Sequence, residues 1–197
     1  KSAHTPLSIT KPSPTSTSAI MASPDKSQEQ GKGFTLSCEC GYITMTTPSR
    51  TPSGMAHCHC RTCQKQSGSA FGTSVYYPTD QVFPLPVDLE AKLSVFEHGT
   101  DSGNTMRCYF CPKCGVRIMH QGILPDGSWR EMMSFKAGTF DDWPEEGGLN
   151  WEGMGARHIW TRSARMNLCG NWEAWEKYPD DMVDKKKGEG EGEEKKA

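Results

Sequence analysis

Cys58-His59-Cys60-Arg61-Thr62-Cys63 places three thiols within six residues, and Gln64-Lys65-Gln66-Ser67-Gly68-Ser69-Ala70-Phe71-Gly72 follows directly. Three cysteines this close can share one metal ion, and three protein ligands leave a tetrahedral zinc one open position. On an extended segment side chains alternate between faces, so Cys58 and Cys60 point one way and His57 and His59 the other. Cys63 then returns a third sulfur from the following turn. A soft, all-thiolate set suits a fourth ligand that is also a thiol. The competing reading closes the site with Cys108 or a histidine as fourth ligand.

Two further clusters flank this one: Cys38-Glu39-Cys40-Gly41 upstream and Cys111-Pro112-Lys113-Cys114-Gly115 downstream. A CxC pair on a strand puts both sulfurs on one face, and CxxC-Gly forms a turn whose thiols converge. Together Cys38, Cys40, Cys111 and Cys114 supply four thiols, the number that saturates a structural zinc. The expected cofactor content is therefore two Zn2+ per chain. Some 70 residues separate the two pairs, so an ion held by all four staples an early strand to a late hairpin and removes loop entropy from the unfolded chain. Disulfides and an iron-sulfur cluster are the alternatives. The odd total of nine cysteines and the metal-ligand spacings disfavour the first, and the absence of ferredoxin spacing disfavours the second. A reducing compartment is expected, cytoplasmic or nuclear. Cys108, two residues before Phe110 in a strand pattern, reads as a buried small hydrophobe, and Cys169 as a free thiol.

The 197 residues suit one folded domain, and the apolar fraction of 35% is depressed by polar ends. Residues 1–30 are rich in Ser, Thr, Pro and Lys and read as a disordered tail, 31–179 as the folded domain, and 180–197 as a disordered Lys/Glu/Gly tail. The first twenty residues hold no acid, as in a transit peptide, but also no Arg. The run Lys185 to Lys187 is interleaved with glutamates downstream and reads as a solvated extension. Net charge is −2, and seven thiolates on two divalent ions lower it by about three more. Neither value suits a polyanionic partner. The folded region lacks a basic stripe interleaved with aromatics, so nucleic acid is not an expected partner. No stretch of about 18 apolar residues exists to span a membrane.

From Phe34 onward, short alternating runs are broken by Gly and Pro, which predicts a mainly β fold with few short helices. Strands are expected at 34–38, 42–46, 72–78, 92–96, 105–110, 116–120 and 131–136. Turns are marked by Pro48-Ser49, Gly99 to Gly103 and Pro125-Asp126-Gly127. Short helices are expected near Gln64 or around Trp172 to Lys177. His57 and His59 titrate near neutrality and tempt as acid/base groups, but alternation turns them away from the metal. His158 reads as a hydrogen-bonded framework residue. Gln64 and Ser67 are the polar residues expected nearest a bound thiol, and Arg61 or Lys65 is expected to pair with a carboxylate of that ligand.

The ordered series CxCG (Cys38 to Gly41), CHCxxCxxxSGSAFG (Cys58 to Gly72), Asp101-Ser102-Gly103, FCxxCG (Phe110 to Gly115) and HIWTRS (His158 to Ser163) resembles the glutathione-dependent formaldehyde-activating enzyme family, whose domain also occurs in centromere protein V. The resemblance covers about residues 33 to 178. It implies a β-tent fold of zinc-bound antiparallel sheets. Its structural zinc falls on Cys38, Cys40, Cys111 and Cys114, and its catalytic zinc on Cys58, Cys60 and Cys63. The implied activity is that of a carbon-sulfur lyase acting on a small-molecule thiol partner, glutathione or its aldehyde adducts. The other reading is a non-enzymatic zinc module of the centromere protein V type.

Overall fold

Short runs bounded by Gly, Pro and Ser form the strands of this chain, whose computed structural model describes residues 33–142, 147–168 and 173–179. They are β1 (Thr35–Ser37), β2 (Thr44–Thr46), β3 (Gly54–Cys58), β4 (Gly72–Pro78), β5 (Ser94–Gly99), β6 (Thr105–Phe110), β7 (Arg117–Ile123), β8 (Met132–Lys136) and β9 (Arg157–Ile159). Three short helices intervene, α1 (Arg61–Ser67), α2 (Thr79–Val82) and α3 (Val87–Glu90), with 3₁₀ turns at Ala137–Thr139 and Thr161–Ser163. The mainly β class with few short helices is therefore as expected. β1 and β2 form a hairpin, and the other strands make one sheet in the order β5-β6-β7-β8-β4-β3-β9. Pairing between these strands is antiparallel as expected, apart from β3 and β9, which run parallel.

Register sorts this sheet into two chemically different faces. Val75, Tyr77, Met119, Met133, Phe135 and Tyr109 pack on one face and are buried. The β1–β2 hairpin adds Phe34, Leu36 and Ile43 to the same core. Tyr77 meets Phe135 edge-to-face at 5.6 Å. Burying each such side chain contributes about 1.5–3 kcal/mol before entropy is counted. The other face carries Cys58, Ser74, Tyr76, Ser134, Lys136, His120 and Cys108, as the pairs Ala56↔Ser74, Cys58↔Gly72, Tyr76↔Ser134, Ser74↔Lys136, His120↔Ser134 and Cys108↔His120 require. One face builds the core and the other carries the chemistry.

Several elements depart from expectation for local reasons. β5 starts at Ser94 rather than Lys92, because Lys92 N and Leu93 N are spent closing α3 onto Leu89 O and Glu90 O. α2 and α3 each follow a proline, Pro78 and Pro86, whose fixed φ opens a single turn. Of the second helical candidate, residues 173–177 run extended beside β9: His158 N donates to Glu173 O at 2.7 Å and Trp175 N to His158 O at 2.8 Å. Those strand bonds leave no donors for a helix. Trp172, Cys169, residues 1–30 and the run 180–197 lie outside the described residues. No helix among the described residues is long and apolar enough to cross a membrane.

Candidate metal centres and the cleft beside them

Cys38 follows β1, Cys40 lies in the β1–β2 turn, and Cys111 and Cys114 occupy the β6–β7 turn. After each pair a glycine takes the left-handed conformation, Gly41 at φ 70° and Gly115 at φ 76°, which folds the chain back and aims the thiols together. Cys38 Sγ lies 3.6 Å from Cys40 Sγ, and Cys40 Sγ 3.7 Å from Cys111 Sγ. All four ligand atoms lie within 4.8 Å of one another. Zinc–sulfur bonds of about 2.3 Å in a tetrahedron separate sulfurs by about 3.8 Å, so donor type and spacing fit such an ion. The eight described cysteines are free thiols, and none is paired in a disulfide. Backbone N–H groups of Val116 and then Cys40 hold the Cys114 thiol down to about 6.

The second cluster is built by a strand end and a helix start. Cys58 ends β3, Cys60 caps the N-terminus of α1, its Sγ accepting from Cys63 N at 3.4 Å, and Cys63 lies in the helix's first turn. α1 stops after Ser67, where Gly68 at φ 61° supplies a left-handed C-cap. The three sulfurs lie within 4.8 Å of one another. Hydrogen bonds from Cys58 and then Cys63 pull Cys60 far below the usual thiol range. The same bond, first of several causes, pushes Cys58 far above it.

No fourth His, Cys, Asp or Glu ligand atom among the described residues joins this trio. Cys108 does not close it. It is buried elsewhere on the face, with Arg117 Nη1 donating to its sulfur at 2.9 Å. The histidines do not close it either. His57 Nδ1 pairs with Thr73 Oγ1 at 2.9 Å, and His59 Nε2 with His158 Nδ1 at 2.9 Å. The Phe71 ring lies 5.1 Å from His57 and 5.2 Å from His59. Burial, aided by the neighbouring His158 and His59, lowers His57 to about 4, and burial also lowers His59 and His158. All three are neutral framework groups on the far side of the sheet.

The trio lines a cleft with Arg61, Thr62, Gln66, His120, Arg117 and Arg130, while the loop after β5 and the side chains of Trp160 and Tyr178 complete its walls. Asp101 of that loop pairs with Arg162 of the 3₁₀ turn at 2.6 Å, fastening two walls. Lys136 Nζ approaches the trio closely: a Cβ on Gly72 would meet Cys63 Cβ at 3.3 Å and Lys136 Nζ at 3.4 Å. Gly72 is small because three elements converge there.

Of the polar residues expected beside a bound thiol, Arg61 lines the cleft and Lys65 does not. Gln64 is a buried tether, its Nε2 donating to His59 O at 2.7 Å and Ser163 O at 2.8 Å. Ser67 Oγ sits within hydrogen-bond distance of the carbonyls of Cys63 and Phe71 and is occupied by the end of α1. Arg117, Lys136, Arg130, Tyr76 and Tyr178 were not foreseen. Each arrives from a strand or segment remote in sequence. The alternation of Ser134 and Lys136 with Met133 and Phe135 was the one local signal, since it sets Lys136 on the same face as Ser134.

A family model described as "Glutathione-dependent formaldehyde-activating enzyme" matches residues 33–163, which include all seven clustered cysteines. No curated protein matches the chain.

Proposed function

Because this chain belongs to the glutathione-dependent formaldehyde-activating enzyme family, we propose that it is a zinc-dependent carbon-sulfur lyase-type enzyme acting on glutathione-aldehyde adducts such as S-hydroxymethylglutathione. One observation carries this reading: three convergent sulfurs that no fourth ligand among the described residues closes, lining a cleft, beside a separate set of four. Cys58, Cys60 and Cys63 would hold the ion at the cleft, and Cys38, Cys40, Cys111 and Cys114 the structural one. A zinc ion at the cleft supplies positive charge that keeps an incoming thiol ionised at neutral pH.

The chain's own groups do the rest. Three thiolates give a divalent centre a net negative charge, and the Lys136 ammonium, which converges with Cys63 on Gly72, lies where it offsets this. Arg61 and Arg130 present guanidinium forks to the cleft, suited to the two carboxylates of glutathione. The Asp101–Arg162 pair keeps the loop after β5 over the site, which limits water around the reacting sulfur. Thiolate chemistry of this kind needs a reducing compartment, so a cytoplasmic location is part of the reading. Its working unit is residues 31–179.

Cobalt substitution tests this reading. With cobalt at both sites, glutathione should change the visible spectrum of one ion and leave the other unchanged. Two unresponsive ions would instead fit a scaffold whose metals are both closed.

A further inference from the structure

β7 breaks strict alternation at one point, and the break brings a cation to the three-thiol cleft. Met119 packs in the apolar core, so alternation alone would put Ile118 on the polar face and Arg117 back in the core. The register with β6 instead runs from Tyr109↔Met119 directly to Phe110↔Arg117, leaving Ile118 as an extra residue. A bulge of this kind re-aims the side chain beside it. Ile118 stays fully buried in the core, and Arg117 crosses to the polar face. There its Nη1 donates to Cys108 Sγ at 2.9 Å, and its side chain lines the cleft.

No acid among the described residues answers this charge. Other guanidiniums are matched: Arg107 meets Glu97 at 2.6 Å, Arg157 meets Glu173 at 3.0 Å, and Arg162 meets Asp101 at 2.6 Å. Arg117 has only the Cys108 sulfur, and burial pushes that thiol up, so the partner is neutral. His120, opposite Cys108 in the register, lines the same cleft. Its Nε2 pairs with Ser134 Oγ at 2.8 Å, while Nδ1 is buried with no hydrogen-bond partner among the described residues. With the Ser134 hydroxyl donating to Nε2, Nδ1 carries the ring proton and is a donor too. A half-buried guanidinium and an unmatched ring N–H both call for an acceptor that the described chain does not supply.

The acceptor belongs near the trio. β8 separates β7 from β4 in the sheet, and neighbouring strands lie about 4.8 Å apart. Arg117 is therefore one strand beyond Lys136, which converges with Cys63 on Gly72. In an adduct the bound sulfur is a neutral thioether, so the single negative charge of three thiolates on a divalent ion is answered by Lys136 alone. Arg61 and Arg130 suffice for the two carboxylates of glutathione. Arg117 is a third guanidinium, left for a third anion.

We propose that the carbonyl compound handled at this site carries a carboxylate of its own, an oxo acid rather than a plain aldehyde, and that Arg117 is the residue that selects it. The inference rests on the function proposed above and narrows its adduct to a carboxylated one. The adduct's carboxylate accepts from the Arg117 fork, whose other N–H groups remain after the bond to Cys108. His120 Nδ1 donates to the second oxygen or to the adduct hydroxyl. The carboxylate binds and is not itself altered.

The test is calorimetry on the zinc-loaded full chain with two isosteric probes, S-carboxymethylglutathione and S-carbamoylmethylglutathione, which differ by one charge at the end of the same arm. At physiological salt, where fields between exposed charges fade beyond about 8 Å, the unaltered protein should prefer the carboxymethyl probe by about tenfold, the worth of one charge-assisted hydrogen bond. Arg117→Met should bind the two probes alike and keep two metals per chain. Lys65→Met removes the same charge outside the cleft and should keep the preference. If the preference survives in Arg117→Met, is lost equally in Lys65→Met, or is absent from the unaltered protein while both probes bind, Arg117 selects nothing and the glutathione site stands. If neither probe binds, the glutathione site itself is refuted and this inference with it. Should Arg117→Met lose metal or fold, Arg117→Gln keeps a hydrogen-bond donor at that position without the charge. It must lower the preference, and an unchanged preference there overturns the inference.

Discussion

Cys60 sits at the meeting point of three demands. It caps α1, accepts from both neighbouring thiols, and lines the cleft. Replacing it with Ala leaves a helix start without its side-chain acceptor, a loss of about 1 kcal/mol, and leaves only two sulfurs for the ion. Cys60→Ala is therefore expected to lower metal content from two ions to one, keep the far-ultraviolet dichroism of the fold, and abolish thiol binding. Elemental analysis beside calorimetry reads all three, and retained thiol binding would contradict the assignment. The seven clustered cysteines were legible in the sequence because short spacing alone decides which thiols converge: period two on a strand, a tight turn at CxxC-Gly. Gln64 and Ser67 were misplaced because a polar side chain next to a site in sequence is as easily recruited by nearby carbonyls as by a ligand. Nothing near Lys136 in sequence shows that β8 lies beside β4, and its approach to Cys63 depends on that pairing.

Among the elements, the two hairpins tied by Cys38, Cys40, Cys111 and Cys114 are the least able to stand alone. β1 and β2 have three residues each, and a two-stranded hairpin is at best marginally stable in water. Leu36 and Ile43 anchor them in the core, and four convergent thiols reach across 71 positions of chain. Cys111→Ala is expected to unfold or severely destabilise the domain, in contrast to Cys60→Ala, because it breaks the link that orders both hairpins. Equal denaturation midpoints for the two variants would show that this set is not a staple. The longer strands were readable from their alternation, and β4 and β6 have the expected ends. β9 was not, since three residues cannot display a period and its partner is a parallel strand about 100 residues earlier. α2 and α3 are single turns set by preceding prolines and have no hydrophobic repeat to reveal them.

For the whole molecule, buried His57, His59 and His158, with partly buried His120 at the cleft, set a pH response. Burial, with neighbouring positive groups at His57, His59 and His120, keeps the imidazoles of His57, His59, His120 and His158 neutral below the range where exposed ones protonate. The unfolded chain therefore binds more protons as pH falls from about 6.5, where a free histidine titrates, and stability, full above that pH, declines toward and below about 4, to which His57 is lowered. The denaturant midpoint of the metal-loaded protein should fall between pH 7 and pH 5. His158→Gln, which leaves every cysteine in place, should flatten that decline, and an identical slope would assign it wholly to metal release. The division of the large sheet into an apolar and a polar face follows from alternation once pairing is known. The pairing order, with β4 and β3 beyond β8, is a long-range choice that no single strand announces. The parallel partnership of β3 with β9 also has a temporal consequence. Sulfurs within six residues of one another can gather within a nascent chain long before Trp160 and residues 173–179 are available to wall them in, because near neighbours meet faster than distant ones. During synthesis these thiols face bulk solvent, so their exposure to metal ions and to oxidants is set by the cell's supply at that moment rather than by the finished cleft.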